Sequence, residues 1–388
     1  MKEYRKLGEF IEVLNRRNTD MKLGLDSVRG ISNTKLITET SKATVDENVI
    51  SKFYVINPGE FVYNPRTTRM GDKVGLAFNN TDKPLLFTFN NSAFKIKDLM
   101  KDKLLPEYLY LFFCRSEFDR FARINSWGSA TELFLFDDLC TIKFDPPDIK
   151  EQQKIVDTYN AITNRIQIKQ KINENLEKTA LLQIEELLEN PNTKKRTIKI
   201  GDICDVKGGK RLPLGSDLIE QKNSHPYIRI RDLKDSCYVV LNDDFLYIDD
   251  ETQQEIARYI TNTNDLLISI VGTIGLTSIV HSSLNNANLT ENCVKLTNMK
   301  ELSPEYVLMY LRTKSGQKAI SQATVGAVQA KLPLKNVQNL DIQYFDDEQM
   351  KEINLLLKNS FKLISCNIEE IIKLNTLRNG IVSQISKR

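Results

Sequence analysis

The chain has 388 residues, of which 41% are hydrophobic and 27% are charged, and its formal net charge is +3. This length exceeds what one ordinary hydrophobic core accommodates, so we expect a globular protein with two or more domains. No apolar run approaches the length of a transmembrane helix, and "MKEYRKLGEF" at the N-terminus holds no apolar signal-peptide core. These features argue against a membrane or secreted protein, and we expect cytoplasmic localisation with no membrane contact.

Charge distribution and cysteine spacing argue against further classes. Basic and acidic residues are nearly balanced in every part of the chain, which does not suit a protein that coats nucleic acid without sequence preference. The six cysteines lie far apart with no CxxC pair, and only two histidines are present. This pattern predicts reduced structural thiols, no metal site and no histidine-dependent triad.

The first part of the chain predicts a domain of mixed strands and helices. Short apolar runs such as "YVINPGEFVY" (54–63) are rich in β-branched and aromatic residues and are broken by Gly, Pro and Asn. Such runs predict strands joined by turns. The segment "PEYLYLFFCRSEF" (106–118) predicts a helix with Pro106 in its first turn. A short apolar strand is expected to follow it within 127–144.

Residues 148–190 predict one long helix, because they contain no Gly and no internal Pro. About 40 helical residues would extend roughly 60 Å at 1.5 Å per residue. An apolar stripe of that length needs a partner stripe along the whole helix. The stripe consists of Ile155, Tyr159, Ile162, Ile166, Ile172 and Leu176.

The second half of the chain repeats the order of the first. "KIGDI" (199–203) corresponds to "KLGEF" (6–10), and "PEYVLMYLRTKSG" (304–316) corresponds to the helix at 106–118. A second long segment from residue 346 carries apolar residues at heptad-like spacing, and the constant order predicts an internal repeat. The second stripe consists of Ile353, Leu357, Ile364, Ile371, Leu374 and Ile381.

The pattern as a whole predicts a mixed α/β fold with a quasi-two-fold internal repeat. We expect two homologous domains, at 1–147 and 191–345, joined by two long helices at 148–190 and 346–388. Each long helix is the best partner for the apolar stripe of the other. The expected spacer is therefore an antiparallel coiled coil.

This order resembles the specificity subunit of type I restriction–modification systems. The motifs that carry the resemblance are "KLGEF" and "KIGDI", "GGKRLPLG" (208–215), "PYIRIRDL" (226–233) and "FDPPDIKEQQKIV" (144–156). Two departures are present: the first half has "EVLNRRNTDMKLG" (12–24) in place of "GGKRLP", and the second long helix lacks the double proline. The first departure concerns DNA contacts of the first domain, and the second only the start of a helix.

The resemblance implies a non-catalytic subunit that reads a bipartite sequence in double-stranded DNA. Each of the two domains would be a target-recognition domain for one half-sequence. The helical spacer would set the gap and dock two methyltransferase subunits, and restriction subunits would complete the complex. The chain itself would hold no cofactor. S-adenosylmethionine is expected on the methyltransferase subunits, and ATP and Mg on the restriction subunits.

Motifs that suggest catalysis are incomplete in this sequence. "DPPD" (145–148) has Asp148 where amino-methyltransferases place an aromatic residue, and no GxG loop precedes it. "GDICDVKGGK" (201–210) lacks the glycine and the hydroxyl residue of a phosphate-binding loop. We therefore predict no catalytic residues, and the turn before a helix is the better interpretation of "DPPD".

Polar and basic loops between strands are the candidates for DNA contacts, although an ordinary solvated loop is as good an interpretation of any single one. Arginine pairs with guanine and glutamine with adenine in the major groove, while Lys and Thr suit phosphates. We interpret Arg229 and Arg231 as neighbours on one strand face, and Gly208 and Gly209 as a turn whose backbone approaches phosphate. The candidates are Arg66, Thr67, Thr68, Arg69, Lys73, Ser129 and Thr131 in the first half, and Lys207, Lys210, Arg211, Arg229, Arg231, Thr273, Gln329 and Lys331 in the second.

Three alternatives remain open from the sequence. The chain could be a two-headed coiled-coil adaptor that binds proteins and not DNA, or an enzyme that modifies DNA by itself. It could also be the specificity subunit of a related bipartite restriction system. Salt-dependent DNA binding would separate the first alternative, and methyl transfer by the isolated chain would identify the second.

Overall fold

The computed structural model describes residues 5–40, 47–67, 73–128, 131–233, 236–326 and 329–385. The chain forms two compact units. Unit 1 comprises residues 1–166 and 372–388, and unit 2 comprises residues 167–371. Within the described ranges, no helix combines the length and the apolar composition that a membrane span requires.

Unit 1 is built on a four-stranded antiparallel sheet in the order β1-β8-β5-β6, with the pairs β2-β3 and β4-β7 beside it. The phenyl rings of Phe61 and Phe94 stack across neighbouring strands with centroids 5.0 Å apart. The helix α1 begins at Pro106, as predicted, and its Phe113 packs against both rings. The elements are β1 Ile11–Val13, β2 Arg29–Ile31, β3 Ile37–Glu39, β4 Tyr54–Ile56, β5 Phe61–Tyr63, β6 Leu76–Phe78, β7 Leu85–Phe87, β8 Ser92–Ile96, α1 Pro106–Phe113, α2 Ser116–Ile124, α3 Phe136–Cys140 and the long helix α4 Ile149–Glu189, which continues into unit 2.

Unit 2 contains a five-stranded sheet in the order β10-β17-β14-β15-β12, a three-stranded sheet β13-β11-β16 and the pair β18-β9. The helix α7 begins at Pro304, as predicted, and lies in the core with Ile268 and Leu296 of the larger sheet. The elements are β9 Lys195–Lys199, α5 Ile200–Ile203, β10 Asp205–Gly208, β11 Pro226–Ile228, β12 Tyr238–Val239, β13 Leu246–Tyr247, α6 Asp250–Glu255, β14 Leu266–Ser269, β15 Thr277–Val280, β16 Asn288–Leu289, β17 Cys293–Thr297, α7 Pro304–Arg312, α8 Lys314–Ala323, α9 Leu334–Gln338, β18 Asp341–Phe345 and the long helix α10 Asp347–Ile385, which continues into unit 1.

The predicted internal repeat is confirmed by the sheet topology. Strands β1-β8-β5-β6 of unit 1 and β10-β17-β14-β15 of unit 2 share order and direction. Both units place a buried carboxylate in the turn before the central strand, where Glu60 accepts a hydrogen bond from the N–H of Asn57 and Asp265 from that of Asn262. The two halves therefore share local hydrogen bonding as well as element order.

The two long helices pack against each other antiparallel within each unit. In unit 1 the first part of α4 and the last part of α10 share a core that includes Val156 and Ile385. In unit 2 the last part of α4 and the first part of α10 share a core that includes Ile184 and Ile353. Of the predicted stripe residues, Ile166, Ile353, Leu357 and Ile364 are buried, and Ile155, Tyr159, Ile162, Leu176, Ile371, Leu374 and Ile381 are half-buried.

Ile172 was assigned to the stripe from the sequence, and this assignment is wrong. Its side chain is 39% exposed, and the neighbouring Lys169 and Asn173 contact α10 instead. The Lys169 Nζ atom donates a hydrogen bond to Asn367 Oδ1 (2.8 Å) and pairs with Glu370 (2.8 Å), while Asn367 donates to Asn173 Oδ1 (2.7 Å). Helical spacing brings residues 169 and 173 onto this face, and both are polar.

The start of α4 explains the motifs "DPPD" and "EQQKI". The Asp148 carboxylate accepts a hydrogen bond from the Glu151 N–H (2.9 Å), which makes it a helix cap. The side chain of Gln152 is fully buried and accepts from the N–H of Leu105 (2.9 Å). Its amide also donates to the carbonyls of Lys103 (2.8 Å) and Pro147 (2.7 Å). This motif therefore fastens the long helix to its own unit.

All six cysteines are free thiols, and only Cys366 is exposed. Burial raises the pKa of Cys293 to about 12 and that of Cys114 to about 11. A thiol with a pKa of 11 is ionised in about one molecule in a thousand at pH 8, against about a quarter for an ordinary thiol.

We therefore expect one fast-reacting thiol per native chain in a maleimide time course. The Cys366→Ser variant should lose that fast phase, and a second thiol reacting at a similar rate would contradict the prediction.

Candidate nucleic-acid interface

A small ladder of three backbone segments lies beside the sheet of unit 1. Trp127 and Leu133 exchange both of their backbone hydrogen bonds (3.2 and 3.0 Å). On the side of Leu133 away from Trp127, the segment that contains Arg66 pairs with it, so that Arg66 lies opposite Leu133. The N–H of Phe134 donates a hydrogen bond to the carbonyl of Pro65 (2.8 Å) in this pairing. We call residues 65–67, 126–128 and 132–134 the unit 1 ladder.

The unit 1 ladder has one face toward the core and one face away from it. Because side chains alternate along a strand, the buried residues Thr67, Ser126 and Phe134 define the inner face. Arg66, Leu133 and Trp127 share the opposite face, since residues directly opposite each other in an antiparallel pair point the same way. The indole ring of Trp127 is 73% exposed. Thr67, predicted from the sequence as a DNA contact, lies inside the unit, and we leave it out of the interface.

Unit 2 contains the same ladder with different side chains. Val325 and Lys331 exchange both backbone hydrogen bonds (2.9 and 2.9 Å), and Leu332 donates to the carbonyl of Ile270 (2.9 Å). Val271 lies opposite Lys331. Ile270 and Leu332 are buried, so Lys331 and Val325 lie on the outer face, together with Val271, which is half-buried and packs against the core of unit 2. We call residues 270–272, 324–326 and 330–332 the unit 2 ladder.

Each ladder contains a glycine that its backbone requires. Gly128 has φ +150° and Gly326 has φ +101°, both in the region that side chains disfavour. A Cβ atom at Gly128 would lie 2.1 Å from the carbonyl oxygen of Thr131, and one at Gly326 would lie 2.5 Å from that of Gln329. No side chain fits at either position, so both ladders have a glycine at the same place. Of the candidates that follow these glycines, Thr131 is half-buried and Gln329 is exposed.

A basic cleft of about 380 Å³ lies at the end of β10 in unit 2. Arg211 and Arg231 line it, and the Arg211 guanidinium pairs with Glu291 (2.9 Å). Tyr227 forms part of its wall, where the hydroxyl donates to the carbonyl of Lys210 (2.7 Å) and burial raises the tyrosine pKa to about 12. Among the residues that the structure describes, no carboxylate lies within ion-pair distance of Arg231 or Lys210. Both cations are exposed, and the Lys210 Nζ atom lies 5.8 Å from the centroid of the Tyr259 ring.

Two interpretations of this region from the sequence are wrong. Strand β11 ends at Ile228, so Arg229 and Arg231 do not share a strand face. The Arg229 guanidinium instead binds both carboxylate oxygens of Asp232 (2.9 and 2.9 Å), and this largely buried pair is structural. The backbone N–H groups of Gly209 and Lys210 donate to carbonyls of the protein, so the glycine turn does not offer them to phosphate. We leave Arg229 out of the interface.

The remaining candidates lie on loops, apart from Lys207, which lies in strand β10. Thr273 is exposed in the turn between β14 and β15, next to the unit 2 ladder, and Lys207 is exposed with Asp205 3.4 Å away. Lys73 is exposed and precedes Val74, whose N–H donates to the carboxylate of Asp119 (3.0 Å). Thr68, Arg69 and Ser129 lie outside the described residues.

Sequence reasoning missed Trp127 as a site residue. A lone tryptophan followed by glycine was the available signal. The same reasoning gave no pairing between residues 66 and 133, which lie far apart in the chain.

For the described part of the chain, no group of three or more His, Cys, Asp and Glu side chains is placed to hold a metal ion.

Comparisons with known proteins agree on one family. A family model described as "Type I restriction modification DNA specificity domain" matches residues 2–178 and again residues 192–376. The chain is 21% identical over 311 residues to the Type I restriction enzyme MjaIX specificity subunit of Methanocaldococcus jannaschii, covering 74% of this chain and 69% of that protein. It is also similar in fold to the type-I restriction-modification system S subunit from M. genitalium. That match has a TM-score of 0.55 and 15% identity, and it covers 99% of this chain and 97% of the other.

Proposed function

Because the chain belongs to the family of type I restriction–modification DNA specificity domains and carries this domain twice, we propose that it reads a bipartite DNA sequence for a type I restriction–modification complex. The observation that carries the proposal is the repeated ladder. One backbone arrangement presents Arg66, Leu133 and Trp127 in unit 1, and Val271, Lys331 and Val325 in unit 2. A shared frame with different outward side chains suits two different half-sequences.

The basic residues of the interface divide into two roles. Arg211 lines the cleft of unit 2, and Lys207 and Lys210 lie just before it in the chain; all three are exposed and suit phosphate contacts, which position a protein on DNA without reading sequence. Arg66 in unit 1 and Arg231, Gln329 and Lys331 in unit 2 suit base edges, because arginine and lysine pair with guanine and glutamine with adenine. Lys73, Thr131 and Thr273 complete the set on neighbouring loops. Thr68, Arg69 and Ser129 remain predictions from the sequence.

Chemistry and assembly belong to partner subunits in this proposal. Two methyltransferase subunits would bind the long helices and carry S-adenosylmethionine, and restriction subunits would carry ATP and Mg. The long helices expose apolar side chains in unit 2, among them Ile168, Ile172 and Leu182 of α4 and Leu355 of α10. Exposed apolar side chains on a helical surface suit a protein partner. The chain itself would be non-catalytic.

The test is a genome-wide map of adenine methylation in cells that express the chain together with its methyltransferase. We expect a split sequence, with two short blocks around a fixed gap, that is absent from cells lacking the chain. The Lys331→Ala variant should relax the sequence in one block only, while a matched change of the exposed Lys194 should leave the map unchanged. Methylation that is the same with and without the chain would favour a protein adaptor that does not bind DNA.

A further inference from the structure

The fold holds the indole ring of Trp127 outside the core of unit 1. Trp127 is the only tryptophan of the chain. Its side chain is largely exposed, whereas Ser126 before it is buried and donates to the carbonyl of Ala122 (2.6 Å). Large aromatic side chains are usually buried over most of their area. An aromatic ring kept on the surface therefore indicates a contact with another molecule.

The backbone around Trp127 fixes the direction of this ring. Both backbone hydrogen bonds of the residue are made to Leu133, and the next residue is the glycine that the turn requires. Leu133 is in turn flanked by Arg66 on its other side. The ring therefore leaves the ladder on the same side as a guanidinium, with an apolar side chain between the two.

The size and chemistry of this face suit the major groove of DNA. Neighbouring strands lie about 4.8 Å apart, so the face from Arg66 to Trp127 is roughly 10 Å wide, and the major groove is about 12 Å wide and admits a β-ribbon. In that groove an arginine pairs with guanine, and an apolar side chain contacts the C5-methyl group of thymine. The face offers one arginine and two apolar side chains, of which Trp127 is more exposed than Leu133.

On the basis of the proposed function, we infer that the outer face of the unit 1 ladder enters the major groove, and that Trp127 selects thymine by packing against its C5-methyl group. In unit 2 the equivalent position is Val325, which is 43% exposed beside Lys331. The two units thus place an exposed apolar side chain at the same position of the ladder. Trp127 and Val325 differ in size. Lys331 lies in the middle of the unit 2 face, whereas Arg66 lies at the edge of the unit 1 face.

The experiment replaces each thymine of the methylated split sequence in turn by uracil, which pairs identically but lacks the methyl group. Affinity is measured for the full chain in complex with its methyltransferase. We expect one thymine, in the half-sequence read by unit 1, at which uracil weakens binding by about 4-fold, the order for one buried methyl group. The Trp127→Ala variant should bind the thymine and uracil duplexes equally. Leu99→Ala, which removes another exposed apolar side chain of unit 1, should retain the wild-type difference.

The wild-type chain provides a second measurement if the alanine variant does not fold. Because the chain has a single tryptophan, its emission should change on adding the specific duplex and should not change with a duplex that carries only the other half-sequence. Uracil tolerated at every thymine, or a thymine preference that persists in Trp127→Ala, would overturn the inference. Failure of the proposed function is a separate result, since it would show as the absence of any methylated split sequence.

Discussion

Replacing Asp119 with alanine is expected to lower the free energy of unfolding of unit 1 by about 3 to 5 kcal/mol, the usual effect of removing one partner of a buried ion pair. The Lys35 ammonium group is almost fully buried and lies 2.7 and 2.8 Å from the two Asp119 oxygens. Without the carboxylate, this cation stays in the interior without a counter-charge. The N–H of Val74 also loses its acceptor.

Urea unfolding followed by hydrogen exchange of the β5 and β8 amides measures this effect in unit 1. Glu117→Ala is the matched control on the same helix, because the Glu117–Arg120 pair is exposed and such pairs contribute at most about 1 kcal/mol. The double variant Lys35→Met, Asp119→Leu should recover most of the loss, since it removes both charges together. An Asp119→Ala chain as stable as the wild type would show that Lys35 is solvated in the native state.

Lengthening both long helices by one turn is expected to widen the gap of the recognised sequence and leave both half-sequences unchanged. Four added residues lengthen a helix by about 6 Å, which corresponds to about two base pairs at 3.4 Å each. The insertions belong after Ile166 in α4 and after Ile371 in α10, where the chain passes from one unit to the other. At these points the contacts within each unit, including Lys169 with Asn367, are kept.

The readout is the methylated sequence in cells, as in the test of the proposed function. The same four residues inserted beside the fully exposed Leu214, in a loop of unit 2, are expected to leave the gap unchanged. An insertion in α4 alone is expected to reduce methylation, because α10 would no longer match its length. A new half-sequence in the doubly lengthened chain would contradict the role of the helices as a spacer.

The repeat and the long helices could be predicted because they depend on local patterns. A proline followed by apolar residues at helical spacing marks α1 and α7, and the absence of glycine and internal proline marks α4. The polar contact of Lys169 and Asn173 with α10 could not be predicted in this way, because an apolar stripe does not indicate which polar residues between its members also contact the partner helix. Asn367, the partner of both, was not among the stripe residues either.

The interface was predicted less well, because it depends on pairings between distant segments. Loop composition gave Arg66 and Lys331 as candidates, which the structure places on the ladders, but it could not tell that Thr67 points inward, since the direction of a side chain follows from the strand register. Nor does an Arg-rich segment indicate that Arg229 is bound by Asp232 three residues later. The ladder that joins Arg66 to Leu133 becomes visible only when the chain is folded.

The glycine turns of the two ladders separate positions that cannot change from positions that can. Gly128 and Gly326 exclude any side chain, and the inner residues Phe134 and Leu332 are fully buried. The exposed outward positions Trp127, Val325 and Lys331 carry neither constraint, so substitutions there leave the frame intact. Under the proposed function, a lineage could acquire a new target sequence through a few changes on one ladder, keep its helices and partner subunits, and retarget the two halves independently.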